Sequence, residues 1–291
     1  MKASTRRPRG PGARRPKGRP EPVVIVGFGR LGGALAVGLS SAGWPVSVLP
    51  RSAEGVRRAA SMRVTLADHE ALHQAAVCVL AVPDGAVAQA AELVEEDLGP
   101  TSALVHLSGA LSLAVFAQAK GARPYGSFHP LVAVSDPHDE LKGHAVALAA
   151  TSRSLTLTLE RMAAALDLKP IEVPETGRPA YHAGAVMGAG LLASLADAAV
   201  AALEHAGLDR LTALEALLPL MRSALRAIEL RGLEKGLTGP VVRGDVGVVQ
   251  SHLEALPPEL GSIYRLLSRR ALRLSTTLPP ETRLALERLL V

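Results

Sequence analysis

The chain has 291 residues with 48% hydrophobic but only 2% aromatic content, enough for two medium domains whose cores are built from Ala, Leu and Val. Its single cysteine excludes an internal disulfide framework and a thiolate metal site, and favours a cytoplasmic location. The formal charge of +5 comes from the first 20 residues, which carry eight Lys or Arg and no acid; without them the balance is 5 − 8 = −3.

That opening run, rich in Arg, Pro and Gly, buries too little apolar surface to fold and is expected to be a disordered basic tail over 1–20. It has neither interleaved aromatics nor an apolar signal core, so nucleic-acid binding is an unfavoured reading and secretion is not indicated. At Val23 the chain changes character. Val23–Val26 is an apolar β-branched strand that leads into Gly27-Phe28-Gly29-Arg30-Leu31-Gly32 and a helix over Arg30–Ala42, stopped at Gly43. Strand, Gly-x-Gly-x-x-Gly and helix in that order form a dinucleotide-binding turn: Gly27 makes the turn, Gly29 admits a pyrophosphate, and Gly32 lets helix and strand pack closely.

The second strand, Val46–Leu49, ends in Pro50-Arg51-Ser52 with no acid before Glu54. An acid there would receive the ribose 2′-hydroxyl of NAD. Arg51 instead offers a permanently charged fork, Ser52 a hydroxyl, and Arg57 and Arg58 lie beyond, so NADP (NADPH) is the expected cofactor. The bland alternative is a solvated surface arginine. Strands are then expected at Val77–Val82, Ala103–Leu107, Pro124–Ser127, Ala145–Ala149 and Ile171–Val173, alternating with helices in the rhythm of a doubly wound parallel sheet. Right-handed crossovers would bring the turns after Gly27, Leu49, Val82, Leu107 and Ser127 to one carboxyl edge. On that edge Val82, Pro83 and Ser108 are candidate cofactor contacts. Asp84 and Ser108 could equally cap the helices that follow them.

After Pro174 the pattern becomes helical: Arg178–His205, Asp209–Leu230, Val246–Ala255, Glu259–Leu274 and Pro280–Leu290. The expected domains are therefore a dinucleotide-binding domain over 21–174 and an all-helical substrate domain over 175–291. Tyr181–Leu203 is long and nearly uncharged, but it is dominated by Ala and Gly and holds His182 and Asp197. It reads as a buried helix rather than a membrane span.

Hydride transfer to a carbonyl or imine needs a proton donor near the developing charge and a cation for a substrate carboxylate. His129 follows a predicted strand at the cofactor edge, His182 opens the long apolar helix beside Tyr181, and Arg243 is bracketed by Gly239-Pro240 and Gly244-Asp245. These three are the catalytic candidates, each set against an ordinary structural role. Asp245 is expected to cap the helix from Val246, and His252 to face Arg243. Gly190, two turns past His182, would share its face. No H-x-x-x-H pair occurs and no metal is expected.

Val79–Asp84, His106–Gly109, Gly126–Leu131, Tyr181–Ala183 and Gly239–Asp245, together with the glycine turn, resemble the phosphogluconate-dehydrogenase-like superfamily. The resemblance is closer to a group of Rossmann-like proteins with an unassigned helical C-terminal domain, related to ketopantoate and pyrroline-carboxylate reductases. It implies a nicotinamide-dependent reductase acting on a small substrate, with ketopantoate the first to try, and an intertwined homodimer formed through the helical domain. One departure stands out: relatives carry an Asn where this chain has Gly190, which leaves open a protein that binds NADP without turning it over.

Overall fold

The computed structural model describes residues 18–119 and 122–291. The expected basic tail therefore lies outside the described residues over 1–17. From Arg19 the chain is held: the Arg19 carbonyl accepts a hydrogen bond from Arg161 (3.1 Å), and Glu21 pairs with the same guanidinium at 2.8 Å.

Seven strands form one sheet in the order β2-β1-β3-β4-β5-β6-β7. In chain order they are β1 (Val23–Val26), β2 (Val46–Leu49), β3 (Val77–Leu80), β4 (Ala103–His106), β5 (Tyr125–Pro130), β6 (Ala145–Ala150) and β7 (Lys169–Glu172). The first five run parallel. β6 reverses against β5, and β7 follows β6 in parallel. The sheet is thus mostly parallel, as expected, and reverses at β6 because the long loop between Pro130 and Ala145 returns the chain without a crossover helix.

Every residue of β1, β3 and β4 is buried. This explains the unbroken apolar runs: a parallel strand covered on both faces has no solvent side to alternate with. Val23, Ile25, Val79 and Val105 point to one core, shared with α1 (Arg30–Ser41), α2 (Ala53–Ser61) and α5 (Arg153–Ala165). Val24, Val26, Cys78 and Leu104 point to the other, with α3 (His69–Gln74) and α4 (Val87–Glu95).

The chain divides into two compact units, one ending at Ala189 and the other Gly190–Val291. The change of pattern near 174–178 thus precedes the division, and α6 (Arg178–Gly188) is part of the sheet unit. The single helix expected over Arg178–His205 is interrupted: Ala189 has φ −122° and ψ −83°, and α7 (Gly190–His205) starts beyond it. Helical periodicity does not carry from His182 to Gly190, so the shared face is withdrawn.

The second unit continues with α8 (Arg210–Gly236), α9 (Pro240–Arg243), α10 (Val246–Ala255), α11 (Pro258–Leu274) and α12 (Pro280–Leu289). Asp209 caps α8 through its carboxylate, and Gly232 interrupts the same helix at φ 76°. A small core of Val241, Val249, Leu272, Leu286 and Leu290 joins α9 to α12. The buried helix expected over Tyr181–Leu203 is corrected. The helical stretch Glu175–His205 has a window of mean hydropathy 1.8, long and apolar enough to cross a membrane, and only 6% of that window is buried within the chain.

Candidate active site

Parallel strands align their carboxyl ends, so the turns after β1 to β4 and the end of β5 share one edge of the sheet. β1 sits between β2 and β3, which leave it in opposite directions, and this is where open sheets of the type bind ligands.

The glycine turn lies at that point. Gly27 has φ 95°, and a Cβ on it would strike the Ala81 carbonyl of the neighbouring strand's exit. A Cβ on Gly32 would lie 2.6 Å from the Gly27 carbonyl oxygen and 2.9 Å from the Ala81 side chain. Gly29 has nothing within 4 Å of its missing side chain. It occupies the N-cap of α1 with no side-chain cap and no acid in the first turn, so the helix presents unshielded N–H groups to open space. That cradle fits a pyrophosphate. Phe28 is buried, and its carbonyl accepts from Arg58 Nη1 at 3.1 Å, which fixes the turn against α2. Arg58 also pairs with Glu54, so among the arginines near β2 it holds the loop while Arg51 and Arg57 stand exposed. The Ser52 hydroxyl accepts from Gly55 N (3.0 Å) as the cap of α2, leaving its proton to donate.

Two strands along, the edge becomes polar. Ser108 is buried, and its oxygen accepts from the N–H groups of Ala110 (3.1 Å) and Leu111 (3.0 Å). It closes a turn rather than capping a helix; the following helical piece is a 3₁₀ turn at Leu113–Phe116. Asp84 likewise lies inside a 3₁₀ turn, Asp84–Ala86, with Pro83 before it, and does not cap α4.

His129 lies within β5, not after it, because the strand extends to Pro130 through antiparallel pairing with β6. Its Nδ1 is 2.8 Å from the Tyr181 hydroxyl, and the rings meet edge-on with centroids 5.5 Å apart. The His182 ring stands 5.8 Å from it, also edge-on. Both imidazoles converge on Gly109: a Cβ there would fall 2.6 Å from His182 Nδ1 and 2.8 Å from His129 Nε2. The three sequence motifs His106–Gly109, Gly126–Leu131 and Tyr181–Ala183 are therefore one site.

Electrostatics set its chemistry. Burial, then the neighbouring His182 and Arg178, push His129 down to about 4. His106, fully enclosed at the end of β4, is pushed to about 4 by burial first and by Arg178 second. Both are therefore uncharged imidazoles at neutral pH. When Tyr181 donates to Nδ1, the neutral His129 ring carries its hydrogen on Nε2.

Arg243 belongs to the second unit. It is exposed and pairs with Asp245 at 2.8 Å, so Asp245 holds the arginine rather than capping α10. His252 faces Tyr264 (2.9 Å), not Arg243. Four residues of the sheet-unit site escaped the list of candidates: His106, Ser127, Arg178 and Tyr181. His106, Ser127 and Tyr181 stood inside the quoted motifs; Arg178 left no sequence signal, since a lone arginine at a helix start reads as solvated.

Residues 22–107 match the family described as NADP oxidoreductase, coenzyme F420-dependent, and residues 144–271 match a domain of unknown function (DUF2520). The first match covers β1 to β4, and the second begins at β6 and runs into the helical unit. Among solved structures, a candidate NADP oxidoreductase from Bacteroides fragilis is 24% identical with a TM-score of 0.72, over 87% of this chain and 98% of that one. A pyrroline-5-carboxylate reductase from Coxiella burnetii is 19% identical with a TM-score of 0.60, over 89% and 100%. A reductive aminase from Aspergillus terreus, solved with NADPH and ethyl levulinate, is 17% identical with a TM-score of 0.61, over 93% and 99%. No curated protein sequence matches. The family of the first domain and the structural neighbours are NAD(P)-dependent oxidoreductases, and the fold is theirs.

Proposed function

We propose that the protein is an NADPH-dependent reductase of a small carbonyl compound, a 2-oxo acid such as ketopantoate being the first substrate to test. The observation that carries this reading is the convergence of His129 Nε2 and His182 Nδ1 on Gly109, on the sheet edge that also holds the uncapped turn Gly27–Gly32. NADPH, when bound, supplies the hydride. The α1 N–H groups would hold its pyrophosphate, and Arg51 with Ser52 its 2′-phosphate. Val82, Pro83 and Ser108, on the adjoining turns of the same edge, are the further contacts assigned to it.

Tyr181 holds the direction of the His129 ring, and in the tautomer where its hydroxyl donates to Nδ1 the Nε2–H is placed to polarise a carbonyl oxygen. His182 offers the second polar group over the same glycine. Arg243, an exposed guanidinium paired on one side with Asp245, is assigned to a substrate carboxylate.

A second reading is favoured by the same uncharged imidazoles. A cyclic imine of the pyrroline-carboxylate type arrives protonated and needs no acid from the protein, which suits histidines held near 4. NADPH oxidation by purified protein against a panel of 2-oxo acids and cyclic imines decides between them. Consumption with neither class, while NADPH binds, would leave only a cofactor-binding role.

We further propose that the functional form is a homodimer joined through the helical unit. Exposed apolar side chains support this, among them Leu191 on α7 and Leu211, Leu220, Leu225 and Leu230 on α8.

A further inference from the structure

Arg178 is an unusual side chain to find enclosed: it is 1% exposed at the start of α6, in a unit whose core is mostly apolar. Its Nη2 donates to the Ser127 hydroxyl on β5, and its Nε donates to Glu175 at 3.0 Å. Glu175 in turn accepts from the Leu113 N–H at 3.1 Å, in the segment that follows β4. Nη1 is buried with no protein partner. Ser127 is itself fully enclosed and is the cross-strand neighbour of His106.

A buried guanidinium whose carboxylate partner is 44% exposed, and with one nitrogen unmatched, is a poor way to stabilise a fold. An apolar residue of similar volume would pack there at less cost. What the arrangement does supply is geometry. Residues three and four positions after Arg178 on the helix are Tyr181 and His182, which lie on the same face one turn on.

We propose that Arg178 is a positioning residue for the active site: by tying the first turn of α6 to Ser127 on β5 and to Glu175, it sets Tyr181 and His182 against His129 over Gly109. The proposal rests on the reading of that cluster as the reactive site. A second consequence follows from its charge. The groups facing His129 are His106 from β4, Asp84 from the turn after β3, and Arg178, Tyr181 and His182 from α6. Among them Arg178 is the permanent cation, and it disfavours a proton on His129.

Selective imidazole and tyrosine labelling of the full chain tests both consequences by NMR without any substrate. In the native protein the His129 and Tyr181 rings give a nuclear Overhauser contact, and His129 titrates near 4. Arg178→Gln, which keeps a hydrogen-bonding side chain and removes the charge, is expected to raise the His129 midpoint. Ser127→Ala, which keeps the charge and removes one anchor, is expected to weaken the ring contact at least twofold; it decides the matter alone if Arg178→Gln does not fold. A native titration in folded Arg178→Gln, or a native ring contact in Ser127→Ala, overturns the proposal. NADPH affinity measured calorimetrically on the same samples keeps the two readings apart: native protein that binds no NADPH sinks the reductase reading while the Arg178 result stands or falls by the rings.

Discussion

A hydrogen in place of a methyl group at residue 109 is what lets two imidazoles close over the turn that follows β4. Gly109→Ala would push on His182 and His129 together, and His129 is held by its contact with Tyr181. Misplacing reacting groups by about 1 Å costs on the order of 100-fold in rate, so turnover should fall by roughly that factor while NADPH affinity stays within about twofold. Kinetics and calorimetry on the one variant check both halves. Arg51→Glu should do the converse, weakening NADPH by about 10- to 100-fold through loss of charge-assisted hydrogen bonds while NADH binding changes little. Equal loss for both cofactors would remove Arg51 from the 2′-phosphate. His106 gives the pH dependence. Folded, it takes a proton only near 4, whereas an unfolded chain takes one near 6.5, so the unfolded state binds more protons between those values. Stability therefore falls as pH drops from about 6.5 to 4, by up to about 3 kcal/mol from this group. Urea midpoints at pH 7 and 4.5 measure it, and His106→Leu should shrink the difference.

At the scale of elements, the junction of β1 with α1 carries the cofactor. Gly27→Ala meets both a left-handed backbone and the Ala81 carbonyl, a fixed atom that cannot swing aside. About 1–3 kcal/mol of backbone strain is expected before the clash is counted, with cofactor binding lost even where the fold survives. Thermal denaturation with and without NADPH separates the two effects: the native protein should gain stability from the ligand and the variant should not. This junction was readable from sequence because each glycine's task is local, as were β2, whose bounds are as expected, and the buried runs of β1, β3 and β4. Other features were decided elsewhere in the molecule. β5 extends through His129 to Pro130 because β6 pairs with it from the antiparallel side, a non-local partner that no periodicity in Gly-Ser-Phe-His-Pro announces. The break at Ala189 falls in a run of Ala and Gly with no proline to mark it. The candidate site was legible as three separate motifs, but not as one cluster. Its arginine, enclosed by Ser127 and Glu175, became meaningful only once the strands were aligned.

For the whole molecule the question is what covers the helical unit. α8 runs for 27 residues and buries only Ala213 and Gly236 within the chain, while Leu211, Leu220 and Leu230 are each more than 60% exposed. Soluble monomers rarely leave contiguous apolar patches beyond a few hundred Å², and a stable pair of chains needs roughly 800 Å² from each partner. A second copy meets that need with the same surface twice. The apolar stretch within Glu175–His205 offers a lipid bilayer as the competing cover, yet its small Ala and Gly side chains give little drive to insert. Asp197, within it, already pairs with Arg210. Sedimentation of the purified chain should therefore give a dimer without detergent. Leu220→Glu combined with Leu230→Glu should shift it to monomer at micromolar concentration, since each buried leucine contributes about 1.5–3 kcal/mol and each new carboxylate would have to be desolvated. A native chain that sediments as a monomer, or one that floats with vesicles, would reassign that face to another partner.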